Sequence, residues 1–87
     1  MYRYDDLKPI LFTERGQEKF LKVRNKTQSL LSLAGACRLE EMISGALGDS
    51  WESLVCVDRL VELGEIREIT GAGVAGQHRV FVKAYGR

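Results

Sequence analysis

The chain has 87 residues, 45% of them hydrophobic, and a formal net charge of +1. This length fits one domain with a small core. No apolar run is long enough to cross a membrane, and the N-terminus lacks the apolar segment of a signal peptide, so we expect a soluble, cytoplasmic protein.

The first twelve residues are polar and aromatic, with Pro9 among them. We predict an extended arm or loop over residues 1–12, followed by a folded domain over residues 13–87. The arm carries four side chains that could lean on the domain: Tyr2, Tyr4, Ile10 and Leu11.

A first helix is predicted from Thr13 to Ala34. Thr13 is a suitable N-cap, and Glu14 suits the positive end of the helix dipole. Apolar and small residues recur at spacings of three and four, which is the pattern of a helix with one buried face. Gly35 is expected to end it.

A second amphipathic helix is predicted over residues 39–47, after a break at residues 35–38 that could add a single edge strand. Its apolar positions keep the i, i+3, i+4, i+7, i+8 spacing. Gly48 closes it, and the next helix begins almost at once. Two helices joined by so short a connection cross steeply, which is the helix-turn-helix arrangement.

The stretch over residues 49–66 predicts a third helix that stops at Gly64 and leads directly into a strand. Asp49 or Ser50 is the expected N-cap. At about 100° per residue, one half of the helix is mostly apolar and should be buried. It comprises Ser53, Leu54, Cys56, Val57, Leu60, Val61 and Leu63.

Two strands of a β-hairpin are predicted at residues 65–70 and 77–84, on either side of a glycine-rich loop. Gly71, Gly73 and Gly76 spell G-x-G-x-x-G. In a dinucleotide site this loop must open a helix, whereas strand-forming residues follow it here. We interpret the motif as a hairpin tip.

Catalytic and metal-binding patterns are missing from the sequence. His78 is the only histidine, and no acid lies at a usable local spacing. Cys37 and Cys56 are too few for a disulfide framework and do not form a zinc-binding spacing; we expect reduced, structural thiols. The prediction is a non-enzyme with no metal, no cofactor and no small-molecule substrate.

The end of the third predicted helix carries the frame L-x-x-L-G-x-I at Leu60, Leu63, Gly64 and Ile66. With the order of elements over residues 13–84, this frame resembles winged helix-turn-helix domains of bacterial transcription regulators, MarR-type repressors among them. The resemblance implies an α+β fold of three helices and a C-terminal β-hairpin wing. It also implies that the third helix enters the DNA major groove and that the wing flanks the minor groove.

The charge distribution bears on that implied function. Residues 38–68 contain three basic and eight acidic residues, a balance of −5, which phosphate would repel. Basic residues lie elsewhere, in a stripe on the first helix and near the C-terminus. Either they are a solvated surface, or they contact phosphate or an acidic partner. The candidate DNA-contacting residues are Arg15, Lys19, Lys22, Lys26, Arg79 and Lys83.

Two functions follow from these observations. The first is a DNA-associated regulatory protein that contacts phosphates through the first helix and the wing. The alternative is a protein–protein interaction or dimerisation module, including a homodimer, that uses the acidic and apolar outward face of the third helix. That face is predicted to comprise Ser50, Trp51, Glu52, Val55, Asp58 and Arg59. Trp51 could instead fold back onto the second helix.

Overall fold

Four α-helices, a 3-10 helix and a three-stranded antiparallel sheet make up the regular structure of the residues that the computed structural model describes, 2–44, 50–71, 73–74 and 78–84. The α+β class predicted from the sequence is confirmed. The elements are α1 (Tyr4–Leu7), the 3-10 helix (Lys8–Phe12), α2 (Glu14–Ala34), β1 (Ala36–Arg38), α3 (Leu39–Ile43), α4 (Ser50–Glu62), β2 (Ile66–Glu68) and β3 (Val80–Lys83).

The longest helix, α2, begins and ends where the sequence predicts. The Thr13 side chain accepts a hydrogen bond from the Gly16 backbone N–H at 3.0 Å, which satisfies one of the unpaired donors of the first turn. Gly35 has φ of 78°, and its N–H donates to the Leu31 carbonyl at 2.9 Å. Glycine adopts this left-handed conformation without strain, so the helix stops there.

The sheet has the order β1–β3–β2, so β3 lies in the centre. Cys37 of β1 pairs with Phe81, and Glu68 of β2 pairs with the same residue from the other side. The predicted edge strand and hairpin strands are therefore confirmed, although both hairpin strands are shorter than expected. Ala72 and residues 75–77 lie outside the described residues, so the tip predicted for the glycine motif is described only in part.

A single buried cluster holds the helices against the sheet. Phe81 of the central strand is fully buried and belongs to the same cluster as the apolar residues of α2 and α4. Burying such side chains is the main stabilising term for a domain of this size. The most deeply buried large residues are Phe81, Leu11, Met42, Leu60, Val55 and Val57.

The second helix is shorter in the structure than the sequence predicts, ending at Ile43. Residues 45–49 lie outside the described residues. The predictions for Gly48 as a stop and Asp49 as a cap therefore fall outside the described part of the chain. At the far end of α4, Gly64 has φ of 76°, so the predicted stop is confirmed.

The extended arm predicted for residues 1–12 is wrong over residues 4–12, which form α1 and the 3-10 helix. Tyr4, Leu7 and Leu11 are spaced at three and four, so a helical path turns all three side chains towards the core. Pro9 fits because it stands in the first turn of the 3-10 helix, where its missing N–H is not needed. Leu11 is only 2% exposed, so this segment is part of the folded body.

Candidate functional site

The outward side of α4 is covered by residues 2–12, which we call the N-terminal segment. The rings of Tyr2 and Trp51 stack with their centroids 5.5 Å apart and their planes 12° from parallel. Trp51 remains 42% exposed. Trp51 therefore meets the N-terminal segment at the start of α4, and this offset-stacked geometry is favourable for aromatic pairs.

Two tyrosine hydroxyls of the N-terminal segment donate to carboxylates on α4. The Tyr2 hydroxyl lies 2.5 Å from Asp58 Oδ2, and the Tyr4 hydroxyl lies 2.6 Å from Glu62 Oε1. Lys8 Nζ adds an ion pair with Glu62 Oε2 at 2.8 Å. Hydrogen bonds to a charged acceptor are stronger than neutral ones, so these contacts fix where the segment lies on the helix.

Asp58 also connects α4 to the hairpin through Arg79. The Arg79 guanidinium makes two hydrogen bonds to the Glu68 carboxylate, at 2.8 and 3.0 Å, and lies 3.8 Å from Asp58 Oδ1. It also stands 5.1 Å from the centre of the Phe81 ring. The hydrogen bonds from Arg79 lower the pKa of Glu68. Arg79 is thus held by two carboxylates and an aromatic ring.

Val55 is fully buried, so its predicted place on the outward face is wrong. At 100° per residue it lies between Trp51 and Arg59 on the side of α4 away from Leu60. The N-terminal segment packs against α4 on that side, where Tyr2 contacts Trp51 and Phe12 contacts Arg59. The prediction is also wrong for Val61 and Leu63. Both were placed in the buried half of the helix, but they are 37% and 45% exposed.

The other residues predicted for this face contact neighbouring parts of the chain, and their role in binding a partner stays a prediction. Trp51, Glu52, Asp58 and Arg59 meet the N-terminal segment or the start of α2; the Arg59 guanidinium lies 5.6 Å from the ring centre of Phe12. The side chain of Ser50 lies outside the described residues.

The predicted basic stripe runs along one edge of α2 and in part contacts α4. Arg15 Nη2 lies 3.3 Å and Lys19 Nζ 4.0 Å from Glu52 Oε1, and the Lys19 side chain is only 10% exposed. Lys26 Nζ donates to the Ser44 carbonyl, while Lys22 is exposed. The acidic start of α4 therefore already neutralises part of this stripe.

The remaining predicted DNA-contacting residues do not extend the stripe. Lys83 borders a groove of about 670 Å³ between α2 and the sheet, together with Arg24. At 100° per residue, Arg24 lies about 160° around α2 from Lys22. Arg79 lies on a third side, beside Asp58. The six residues thus do not form one continuous basic surface, and their contact with DNA stays a prediction.

The thiols are poorly suited to nucleophilic chemistry. Cys37 and Cys56 are both free and buried, and burial raises the pKa of each, to about 11 for Cys56. A thiol reacts as its thiolate, which such a pKa disfavours at neutral pH. Among the described residues, no three His, Cys, Asp or Glu side chains are grouped so that they could hold a metal ion.

The contacts of Glu62 make the position of the N-terminal segment depend on pH. Hydrogen bonds from Lys8, Tyr4 and Arg59 lower its pKa from 4.5 to about 2. A carboxylate with a lowered pKa in the folded state stabilises that state above its ordinary pKa, and this contribution is lost as the pH falls through the folded value. The contacts should therefore weaken between about pH 4.5 and 2.

Fluorescence of Trp51, the only tryptophan, can report this change because Tyr2 stacks on it. We expect an emission change between about pH 4.5 and 2 that is much smaller in Glu62→Gln, which keeps the size of the side chain but does not titrate. Far-UV circular dichroism over the same range separates this change from global unfolding. Identical titrations for the two proteins would contradict the assignment to Glu62.

The same reasoning applies to alkaline pH with the opposite sign. Burial, and then the hydrogen bond to Asp58, raise the pKa of Tyr2 above its ordinary value of 10.0; burial and Glu62 do the same for Tyr4. A raised pKa in the folded state contributes stability below the ordinary value, which is lost as the pH rises through the folded value. The N-terminal segment is thus held most firmly near neutral pH.

No role was predicted for Lys8 from the sequence. Tyr2 and Tyr4 were expected only to pack against the domain. Their partners, Asp58 and Glu62, are more than fifty positions away, and no local spacing indicates such a pairing. A weak signal was available in the helical spacing of Tyr4, Leu7 and Leu11, which indicates that the segment packs on the body.

No helix in the described part of the chain combines the length and apolar character needed to cross a bilayer. Comparison of the chain with models of protein families, with curated protein sequences and with solved structures gave no match.

Proposed function

We propose that this chain is a winged-helix domain that binds another protein through the outward side of α4. Support for the fold comes from the order of elements. A long helix, a short strand, two further helices and a β-hairpin follow one another, and the short strand pairs with the second strand of the hairpin. In this reading α4 is the recognition helix, and β2, β3 and the loop between them are the wing.

The observation that carries the proposed function is that this side of α4 already holds a peptide segment. Trp51 supplies an aromatic ring that is 42% exposed, and Asp58 and Glu62 supply carboxylates about two and three turns further along the helix. Aromatic anchors bordered by polar groups concentrate binding energy at protein interfaces. The same side chains are a poor match for phosphate, which needs positive charge.

A two-hybrid screen of genomic fragments tests the proposal, with the full chain as bait. We expect partner fragments that bind the parent and Leu33→Ala but not Trp51→Ala. Leu33 is 88% exposed on α2 and serves as a matched apolar control. If every recovered fragment binds the Trp51→Ala protein as well as the parent, this side of α4 is not the binding surface.

DNA-associated regulation through α2 is the second candidate function. Arg15, Lys22 and Lys26 are exposed along one edge of that helix, in a position to contact phosphates. Weak binding with strong salt dependence is then expected, because each phosphate contact releases counterions. Fluorescence anisotropy of a labelled duplex at roughly 50 mM salt should show binding that Lys22→Glu and Lys26→Glu together abolish. Absence of binding at about 10 μM protein would exclude this candidate.

A further inference from the structure

The N-terminal segment divides into a part that is buried in the fold and a part, residues 2–8, that packs against the body without a fully buried residue. Leu11 is buried, its carbonyl accepts a hydrogen bond from Gln17 Nε2, and Gly16 of α2 packs directly against Ile10 and Leu11. In contrast, α1 has no buried residue and no side-chain cap. A four-residue helix is not stable by itself, so residues 2–8 stay in place through side-chain contacts. Tyr2, Tyr4 and Leu7 pack against the core, and Tyr2, Tyr4 and Lys8 also bond to carboxylates of α4.

Those contacts form a defined recognition pattern. One aromatic ring stacks on Trp51 and donates its hydroxyl to Asp58. A second hydroxyl and an ammonium group, from Tyr4 and Lys8, share the two oxygens of Glu62. The pattern selects tyrosine over phenylalanine, through the hydroxyls, and selects a basic residue over an acidic one.

We propose that residues 2–8 act as an intramolecular ligand that a partner protein displaces, and that the partner presents a Tyr-x-Tyr-x3-Lys type of segment. This inference rests on the proposed function and specifies its partner. Charge complementarity supports it, because the vacated side of α4 would present Trp51 beside the carboxylates of Asp58 and Glu62. Residues 2–8 then lower the apparent affinity for the partner, because only the fraction of molecules in which these residues have left α4 can bind it.

The experiment uses a labelled peptide with the sequence of residues 2–8 and the full chain in three forms. The first is the parent. The second is the Tyr2→Ala/Tyr4→Ala protein, called the weakened protein because its own residues 2–8 bind α4 less tightly. The third is the weakened protein with Trp51→Ala added. Fluorescence anisotropy should show roughly tenfold tighter peptide binding to the weakened protein than to the parent. Adding Trp51→Ala should abolish that gain. A peptide with both tyrosines replaced by alanine should not bind, and one with both replaced by phenylalanine should bind more weakly.

Equal affinities for the parent and the weakened protein, with circular dichroism showing both folded, would overturn the proposal. Peptide binding that does not change when Trp51 or the tyrosines of the peptide are replaced would also overturn it.

A second copy of the chain is the other possible occupant of this side of α4, and light scattering at the assay concentrations tests for it. A parent dimer that the Tyr2→Ala/Tyr4→Ala change abolishes would identify a second copy as the ligand and overturn the separate partner. If the peptide fails but the two-hybrid screen yields Trp51-dependent fragments, the proposed function survives with a partner of different chemistry.

Discussion

Replacement of Gly16 by alanine is expected to destabilise the protein by about 1–3 kcal/mol, the usual range for overpacking, and near the upper end. A Cβ at Gly16 would stand 1.9 Å from the Ile10 carbonyl oxygen and 3.0 Å from the Leu11 Cα. These are backbone atoms that cannot rotate away, so the 3-10 helix must lift off α2. Urea unfolding followed by circular dichroism measures the loss.

Gly71→Ala is the matched control for this change. Nothing lies within 4 Å of a Cβ at Gly71, and its backbone is not among the positive-φ glycines of the described residues. Its effect should be close to zero. Equal stability of Gly16→Ala and Gly71→Ala would mean that the 3-10 helix does not pack on α2 as described. A larger peptide affinity in Gly16→Ala would further indicate that lifting the 3-10 helix uncovers α4.

Phe81→Ala should have the largest effect of any single truncation, about 3–5 kcal/mol. Phe81 is fully buried in the central strand, and both flanking strands pair with it. An 87-residue domain has a total stability of roughly 4–13 kcal/mol. The loss is therefore a large share of the whole, and a substantial unfolded population is expected in Phe81→Ala at 37 °C.

Thermal unfolding of Phe81→Ala, followed by circular dichroism, should show a strongly lowered Tm. Leu33→Ala provides the comparison, because Leu33 is 88% exposed and its removal should shift Tm very little. A Phe81→Ala protein as stable as the Leu33→Ala protein would show that the sheet does not pack on the helices through this residue.

Local signals in the sequence were sufficient to predict much of the fold. Thr13 and Gly35 delimit α2 because a hydroxyl cap and a left-handed glycine act within one turn of the helix ends. The strands were located by β-branched residues and by the glycine-rich loop between them. β2 and β3 pair with each other over only three positions, and the composition of a strand does not specify how far such pairing extends.

The side of α4 that faces the N-terminal segment could not be predicted in the same way. Helical periodicity assigns one buried arc, and Val55 lies outside it. Val55 is fully buried, and the residues on either side of it on this face, Trp51 and Arg59, contact a segment more than forty residues earlier in the chain. The aromatic character of Trp51 and the acidity of Asp58 were visible in the sequence, but their pairing with Tyr2 depends on the tertiary fold. Tertiary packing overrides local pattern at such positions.

The separation of Tyr2 from Asp58 by 56 positions has a consequence for the order in which the molecule assembles. Tyr2 is synthesised before α4, so its hydroxyl cannot reach Asp58 until that helix has been made and folded. Contacts between distant positions carry the loop-closure cost that slows folding. The carboxylates that accept from Tyr2 and Tyr4 are both on α4, so these two contacts form only after that helix. α4 must therefore be in place before either tyrosine hydroxyl can bond as it does in the folded protein.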